Sequence, residues 1–201
     1  MNIVLDEQHN YFVDNLRKPG VSEIVSHFGF SDFSMIPEHI MKPAKDFGNV
    51  IHEVIKLSER GDIEGFNNDH FKILKHWEDF KKSVELKDCI VDIKTNASKK
   101  PSIGNMLQLF GYRVLINTCL NKALWLDKPV IEQKLYSDIW DFCGTPDYFN
   151  IKSGIKKLYI VCISMDGFKP FIFDTVKDNQ WENEFKCLLK VYQMQKREGI
   201  I

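Results

Sequence analysis

The stretch that most restricts how this chain can fold is "IVDIKTNASKK", residues 90 to 100. Ile90, Val91 and Ile93 read as a buried β-strand, yet Asp92 and Lys94 interrupt the apolar run two residues apart. Strand side chains alternate, so Asp92 and Lys94 share one face while Val91 and Ile93 share the other. A charged face backed by a greasy one is the expectation. An isolated D-x-K is common by chance, and alone it reads as a strand end with a surface ion pair. Its meaning depends on which other residues converge on it.

Around that strand, helical and strand patterns mix. Residues 1 to 20 read as a short hairpin or arm, with turn signals at "EQHN" and "KPG". Ser22 stands where a helix N-cap would, ahead of Glu23, Ile24 and Val25, and Gly29 closes that segment. A longer helix is predicted from Pro43 to near Gly61, with Phe47, Val50, Ile51, Val54 and Ile55 at offsets of three and four. Residues 67 to 85 repeat the pattern through Phe71, Leu74, Trp77, Phe80 and Val84. After a polar loop, a helix is expected from about Asn105 to Leu120. Two strands follow, "PVIEQKLYS" and "FCGTPDYFNI", joined through "DIWD"; a second pair, "KLYIVCISM" and "KPFIFDTV", is joined by "DGF". The closing helix carries Trp181, Phe185, Leu188, Leu189 and Tyr192 on one face. This mixture predicts an α/β layer fold, and 201 residues without a repeat or linker predict a single domain, 1–201.

A net charge of -1 excludes a generally basic nucleic-acid binder but not a local patch, for which Lys94, Lys99 and Lys100 are candidates. The five cysteines, at 89, 119, 143, 162 and 187, have no C-x-x-C spacing and are odd in number. A reducing compartment is expected, with no disulfide framework and no cysteine-rich metal site. The opening "MNIVLDEQHNYF" lacks a basic start and an apolar core, so a cytoplasmic location without membrane contact is expected.

Four further clusters carry polar chemistry. His52 lies in "GNVIH", one helical turn after Gly48, whose lack of a side chain lets that face approach a strand or ligand closely. Alone, a helix-borne histidine is more often a hydrogen-bonded boundary residue than a ligand. Asp147 lies in "CGTPD", where Gly, Pro and Asp also suit an ordinary turn. Gln108 and Tyr112, in "QLFGY", share a helix face and read equally as a surface hydrogen-bonding pair. Glu132, in "VIEQKLYS", also fits an exposed strand carboxylate.

Taken together, G-x-x-x-H, G-T-P-D, D-I-K-T and Q-x-x-x-Y resemble the motif set of the PD-(D/E)XK nuclease superfamily, especially its RecB-like and phage-type exonuclease members. The segments "YFVDNLRKPGVSEIV", "GFSDFS" and "FGNVIHEVIKLSERGDIEG" resemble the opening of those phage-type proteins. The resemblance implies a restriction-endonuclease-like mixed β-sheet flanked by helices. It implies that His52, Asp147, Asp92 and the Ile93 carbonyl would hold Mg²⁺ or Mn²⁺. Lys94 would orient water or offset phosphate charge, with Glu132 a weaker catalytic candidate. Gln108 and Tyr112 would brace the site or touch nucleic acid, beside Lys99 and Lys100.

The order of the motifs departs from the family's. There the "E…GTPD" strands precede the D-x-K strand and the Q-x-x-x-Y helix; here they follow. Moving roughly residues 87 to 124 to just after Lys156 restores the family's succession, so the strand pair at 130 to 151 is expected to enter the same sheet from a different point. The resemblance implies a metal-dependent deoxyribonuclease of a bacterial or phage-infected cell, an exonuclease in DNA recombination or processing, working with a recombination or replication protein. The alternatives are a nucleic-acid binding module of nuclease ancestry that no longer cleaves, and an interaction protein in which the polar motifs only stabilise the sheet.

Overall fold

Strand β4, Cys89–Lys94, lies at the centre of a five-stranded sheet of order β10-β9-β4-β8-β5. It runs parallel to β9, Lys157–Ser164, and antiparallel to β8, Tyr148–Asn150. An antiparallel hairpin joins β9 to β10, Gly167–Asp174, and β5, Val130–Ile131, pairs with the far side of β8. These positions come from a computed structural model that describes residues 1–31, 36–95, 100–119 and 129–201. Among those residues the chain is a mixed α/β structure with five helices and three sheets.

Helices cover both faces of the central sheet. On one side α2, Glu38–Glu59, and α3, Asn68–Ser83, bury Ile51, Ile55, Trp77 and Phe80 against Val91, Ile93, Tyr159 and Val161. On the other, α1, Val21–His27, α4, Ile103–Cys119, and α5, Gln180–Arg197, pack over Ile90, Phe149, Leu158 and Ile160. Gly111 lets these three helices meet: a Cβ there would lie 2.7 Å from Phe185 Cε2 and 2.8 Å from Val21 Cγ1. Val91 and Ile93 form the greasy face of β4 and Asp92 and Lys94 share the other, as expected; what is corrected is that the charged face is also covered. Both faces are covered, as a central strand with a parallel partner requires, and polarity enters the α4 side only beyond Ile90, at Asp92 and Lys94.

Two small sheets complete the structure. The arm is a three-stranded sheet of β1, Ile3–Leu5, β2, Tyr11–Val13, and β3, Leu16–Lys18. Its second turn falls at Asp14 and Asn15, both at positive φ (47° and 70°), and not at "KPG". A hairpin of β6, Leu135–Ser137, and β7, Phe142–Gly144, closes through "DIWD" and touches the arm by a Gly20–Cys143 bridge.

Other boundaries shift for local reasons. The N-cap of α1 is Gly20, not Ser22, and Glu23 reaches back to accept from the Gly20 N–H. Helix α2 begins at Glu38, five residues before Pro43, so Pro43 lies inside the helix and removes the backbone hydrogen bond that residue 43 would make to the carbonyl of His39. The two strands expected at 129–151 are four. Glu132 at φ 46° breaks the first, and Thr145 to Asp147 form a bend that breaks the second, so Asp147 is not on a strand.

Candidate active site

The polar motifs gather where β4 ends. Asp92 is 1% exposed, because α4 closes over its face of the sheet. Lys94, two residues on, places its Nζ 3.1 Å from Asp92 Oδ1 and 3.0 Å from Oδ2, and donates to Gln108 Oε1 at 3.1 Å. Hydrogen-bond geometry is satisfied at Oδ1 alone; Asp92 Oδ2 is buried and accepts none among the described residues. Gln108 in turn donates to Tyr112 Oη at 2.8 Å and to Ser22 Oγ at 3.2 Å. The chain from Asp92 thus runs through Lys94 and Gln108 to α1 and the interior of α4.

The bend before β8 brings the second acid to the same strand end. Asp147 Oδ2 accepts the Ile93 N–H at 2.6 Å, and its Oδ1 lies 3.4 Å from His52 Nδ1. A strand residue points its N–H and C=O to the same side, so the Ile93 carbonyl faces this edge too. Thr145, in the same bend, is held by Tyr11 of the arm, Oη to Oγ1 at 2.8 Å. His52 reaches across from α2, whose Gly48 makes the approach close: a Cβ there would stand 3.2 Å from Thr95 Oγ1. Glu132 lies behind, 3.9 Å from His52 Nδ1 and 3.4 Å from Lys56 Nζ, its backbone N–H on the Asp147 carbonyl at 3.0 Å.

Burial and charge set the protonation of this cluster. Burial, with Asp147 nearby, pushes the Asp92 carboxyl up to about 6, against the pull of Lys94. Asp147 moves the other way: burial would raise it, but the His52 imidazole, Lys94 and the Ile93 N–H hold it below the usual carboxylate range. Burial would lower both Lys94 and His52; for Lys94 the carboxylates of Asp92 and Asp147 outweigh it, and for His52 those of Asp147 and Glu132 do, so both stay above their ordinary values. Lys94 is accordingly an ammonium at neutral pH. It donates hydrogen bonds and offsets negative charge but accepts no proton.

Among the described residues no three His, Cys, Asp or Glu side chains form a ready-made ion cage. The acids are engaged by the protein's own cations, Asp92 by Lys94 and Asp147 by His52. The donor set still suits a hard divalent ion: two carboxylates, one with an unsatisfied buried oxygen, beside a backbone carbonyl and an imidazole.

Not every expected residue sits here. Tyr112 is 6% exposed and packs in the core under α4, sending only its hydroxyl to Gln108; the expectation that it stands outside the apolar core is corrected. Lys100 is exposed at the start of the segment leading to α4, and Lys99 lies outside the described residues. Lys56, Ser22 and Tyr11 were not singled out as site residues. Lys56 follows His52 by one turn, a spacing that marks a shared face, whereas Tyr11 and Thr145 lie too far apart in sequence for any local pattern to pair them. No helix is long and apolar enough to cross a membrane among the described residues. Comparison with protein-family models, curated proteins and solved structures finds no match to this chain.

Proposed function

We propose that the chain is a metal-dependent nuclease that hydrolyses DNA phosphodiester bonds on a restriction-endonuclease-like core. The observation that carries this reading is Asp92: a buried carboxylate beside a lysine, with one oxygen unsatisfied, at a strand end where Asp147, His52 and the Ile93 carbonyl also arrive. Burying an acid so incompletely hydrogen-bonded costs stability, and acids with pKa values perturbed in this way cluster at functional sites. Asp92, Asp147, His52 and the Ile93 carbonyl would hold Mg²⁺ or Mn²⁺. When bound, the ion supplies Lewis-acid polarisation of the phosphate and a more acidic water.

The chain's own groups do the rest. Lys94, kept protonated by Asp92 and fixed by Gln108, sets an ammonium where negative charge develops on the phosphoryl oxygens. Tyr112 holds the Gln108 amide in place, and Lys94, Thr95, Gln108 and Asn105 line a cleft of 320 Å³ through which a phosphate reaches them. The exonuclease mode and the recombination or replication partner belong to this proposal by resemblance alone.

A second reading, a binding module that has lost cleavage, is favoured by the two ion pairs, which largely neutralise the acids without a metal. Linear and circular DNA incubated with Mg²⁺, Mn²⁺ or EDTA separate the two. The expected result is cleavage that EDTA abolishes and that Asp147→Asn lowers by at least about 100-fold, a loss typical for a group that organises transition-state charge. Metal-dependent DNA binding without cleavage by the wild type supports the binding module, and cleavage indifferent to Asp147→Asn overturns the assignment.

A further inference from the structure

The cleft beside Lys94 does not end there. Ser26, one helical turn beyond Ser22 on the exposed side of α1, lines the 320 Å³ cleft and also a second one of 570 Å³ that contains Arg17, His27 and Lys196. Tyr192 and Lys196 then line both this second cleft and a third of 690 Å³, which adds Lys190 and Arg197. The three depressions are therefore neighbours, following one another from Lys94, over α1, to the C-terminal half of α5.

The character of the track changes along its length. Near Lys94 it is lined by hydroxyls and amides, those of Ser22, Ser26, Asn105 and Gln108. Further out its cations are Arg17, Lys190, Lys196 and Arg197, against two acids, Glu23 and Asp141. Both acids are already engaged, Glu23 by Arg17 at 3.1 Å and Asp141 by Lys18 at 2.7 Å. Lys190, Lys196 and Arg197 are exposed and form no salt bridge among the described residues. Lys196 and Arg197 complement the C-terminal dipole of α5; Lys190 lies two turns earlier, where the dipole does not reach, with its Nζ 5.9 Å from the centroid of the Trp140 ring. In a chain of net charge -1, this excess of positive charge is local.

We propose that this track binds one strand of nucleic acid, its phosphates on Lys190, Lys196 and Arg197, and guides it to or from the centre at Lys94. The proposal deepens the nuclease reading and rests on it for direction; binding itself does not depend on cleavage. A concave path with cations towards its outer end suits a flexible single strand.

The test is fluorescence anisotropy with a labelled oligothymidylate over a salt series, comparing wild type, the triple variant K190E/K196E/R197E and a matched control, K72E/K75E/K82E. The control makes the same charge change on exposed positions of α3, on the opposite side of the sheet. Expected is a loss of at least about tenfold in affinity for the α5 variant, with log K against log salt flattened by about 2, from three phosphate contacts at roughly 0.7 each. Circular dichroism melts check that both variants fold, and the milder K190Q/R197Q serves if the triple charge reversal does not. Equal loss in the α3 control, or an unchanged salt slope, overturns the track. Charge-dependent binding without metal-dependent cleavage leaves the track standing and sinks the nuclease reading, whereas cleavage with binding indifferent to the α5 substitutions does the reverse.

Discussion

Two buried acids stand at opposite ends of β4 and differ in almost everything but burial. Asp88, just before the strand, is 1% exposed, yet its carboxylate accepts from the backbone N–H groups of Lys152 and Ser153 at 2.7 Å each and from Ser153 Oγ at 2.6 Å, with Lys156 Nζ at 3.1 Å. Burial would raise its pKa, but these donors hold it far below the usual carboxylate range. Asp92 is as deeply buried, leaves one oxygen without a hydrogen bond and is pushed up to about 6. The first acid is satisfied by the fold and clamps the 152–156 segment to it. The second has Lys94 as its only salt-bridge partner among the described residues, with Oδ2 3.0 Å from the ammonium but outside hydrogen-bond geometry, and the proposed role of Asp92 rests on that contrast.

The contrast breaks most sharply if the two acids are exchanged for amides. Asp92→Asn is expected to lower metal-dependent DNA cleavage by at least about 100-fold. Asp88→Asn should leave cleavage near wild type and cost on the order of 2 kcal/mol, the loss of charge-assisted hydrogen bonds, or roughly 4–8 °C in melting temperature. Asn tolerates the positive φ of 53° at position 88, so the loss reports on the hydrogen bonds and not on the backbone. Activity assays and melts on both variants decide; the reverse pattern removes the functional distinction.

Acid titration of stability sharpens the comparison further. The folded pKa of Asp88 is depressed, so its contribution is fully present above the unfolded value of about 3.9 and is lost as pH falls below it. The folded pKa of Asp92 is raised, so in the metal-free protein its ionisation opposes folding above about 6, and that cost is relieved as pH falls from about 6 towards 4. Melting temperatures across pH should therefore converge for wild type and Asp88→Asn at the acid end, whereas the gap between wild type and Asp92→Asn should change between about 4 and 6. A gap constant across that window would show that Asp92 titrates normally.

The smallest effect is expected at Tyr112. Phenylalanine keeps its core contacts and removes only the bond to Gln108, so Tyr112→Phe should cost about 1 kcal/mol and lower turnover a few-fold through a looser Lys94. Cleavage unchanged at equal folded fraction would confine the hydroxyl to stability.

Much of this architecture could be read from periodicity. The apolar spacing from Phe47 to Ile55 and from Trp181 to Tyr192 places two helices, because burial on one face imposes that period, and the apolar run of 157–164 followed by the turn at "DGF" places a hairpin. The residues of the candidate site were visible as motifs, but their geometry was not. Asp147 reaches the site from a bend set by Thr145 and Pro146, Glu132 turns at positive φ, and Asp88 finds its donors more than sixty residues away. Such features depend on long-range partners, which leave no local period. The residue types of Asp14 and Asn15 themselves favour a turn at positive φ, although "KPG" is the more conspicuous turn signal.

The pairing of β4 with β9 also governs when the site can exist. Cys89 lies opposite Lys157, so the central parallel ladder closes only after α4 and the strands β5 to β8 have been synthesised and threaded beside it. The β9–β10 hairpin and the helices α2 and α3 are local, whereas the β4–β9 ladder carries the larger loop-closure entropy and is expected to form later. Because Asp92 and Lys94 stand on that ladder while His52 and Asp147 come from elements on either side, the cluster is among the last parts of the molecule to assemble. A chain caught before that step would have most of its secondary structure and no assembled acid pair.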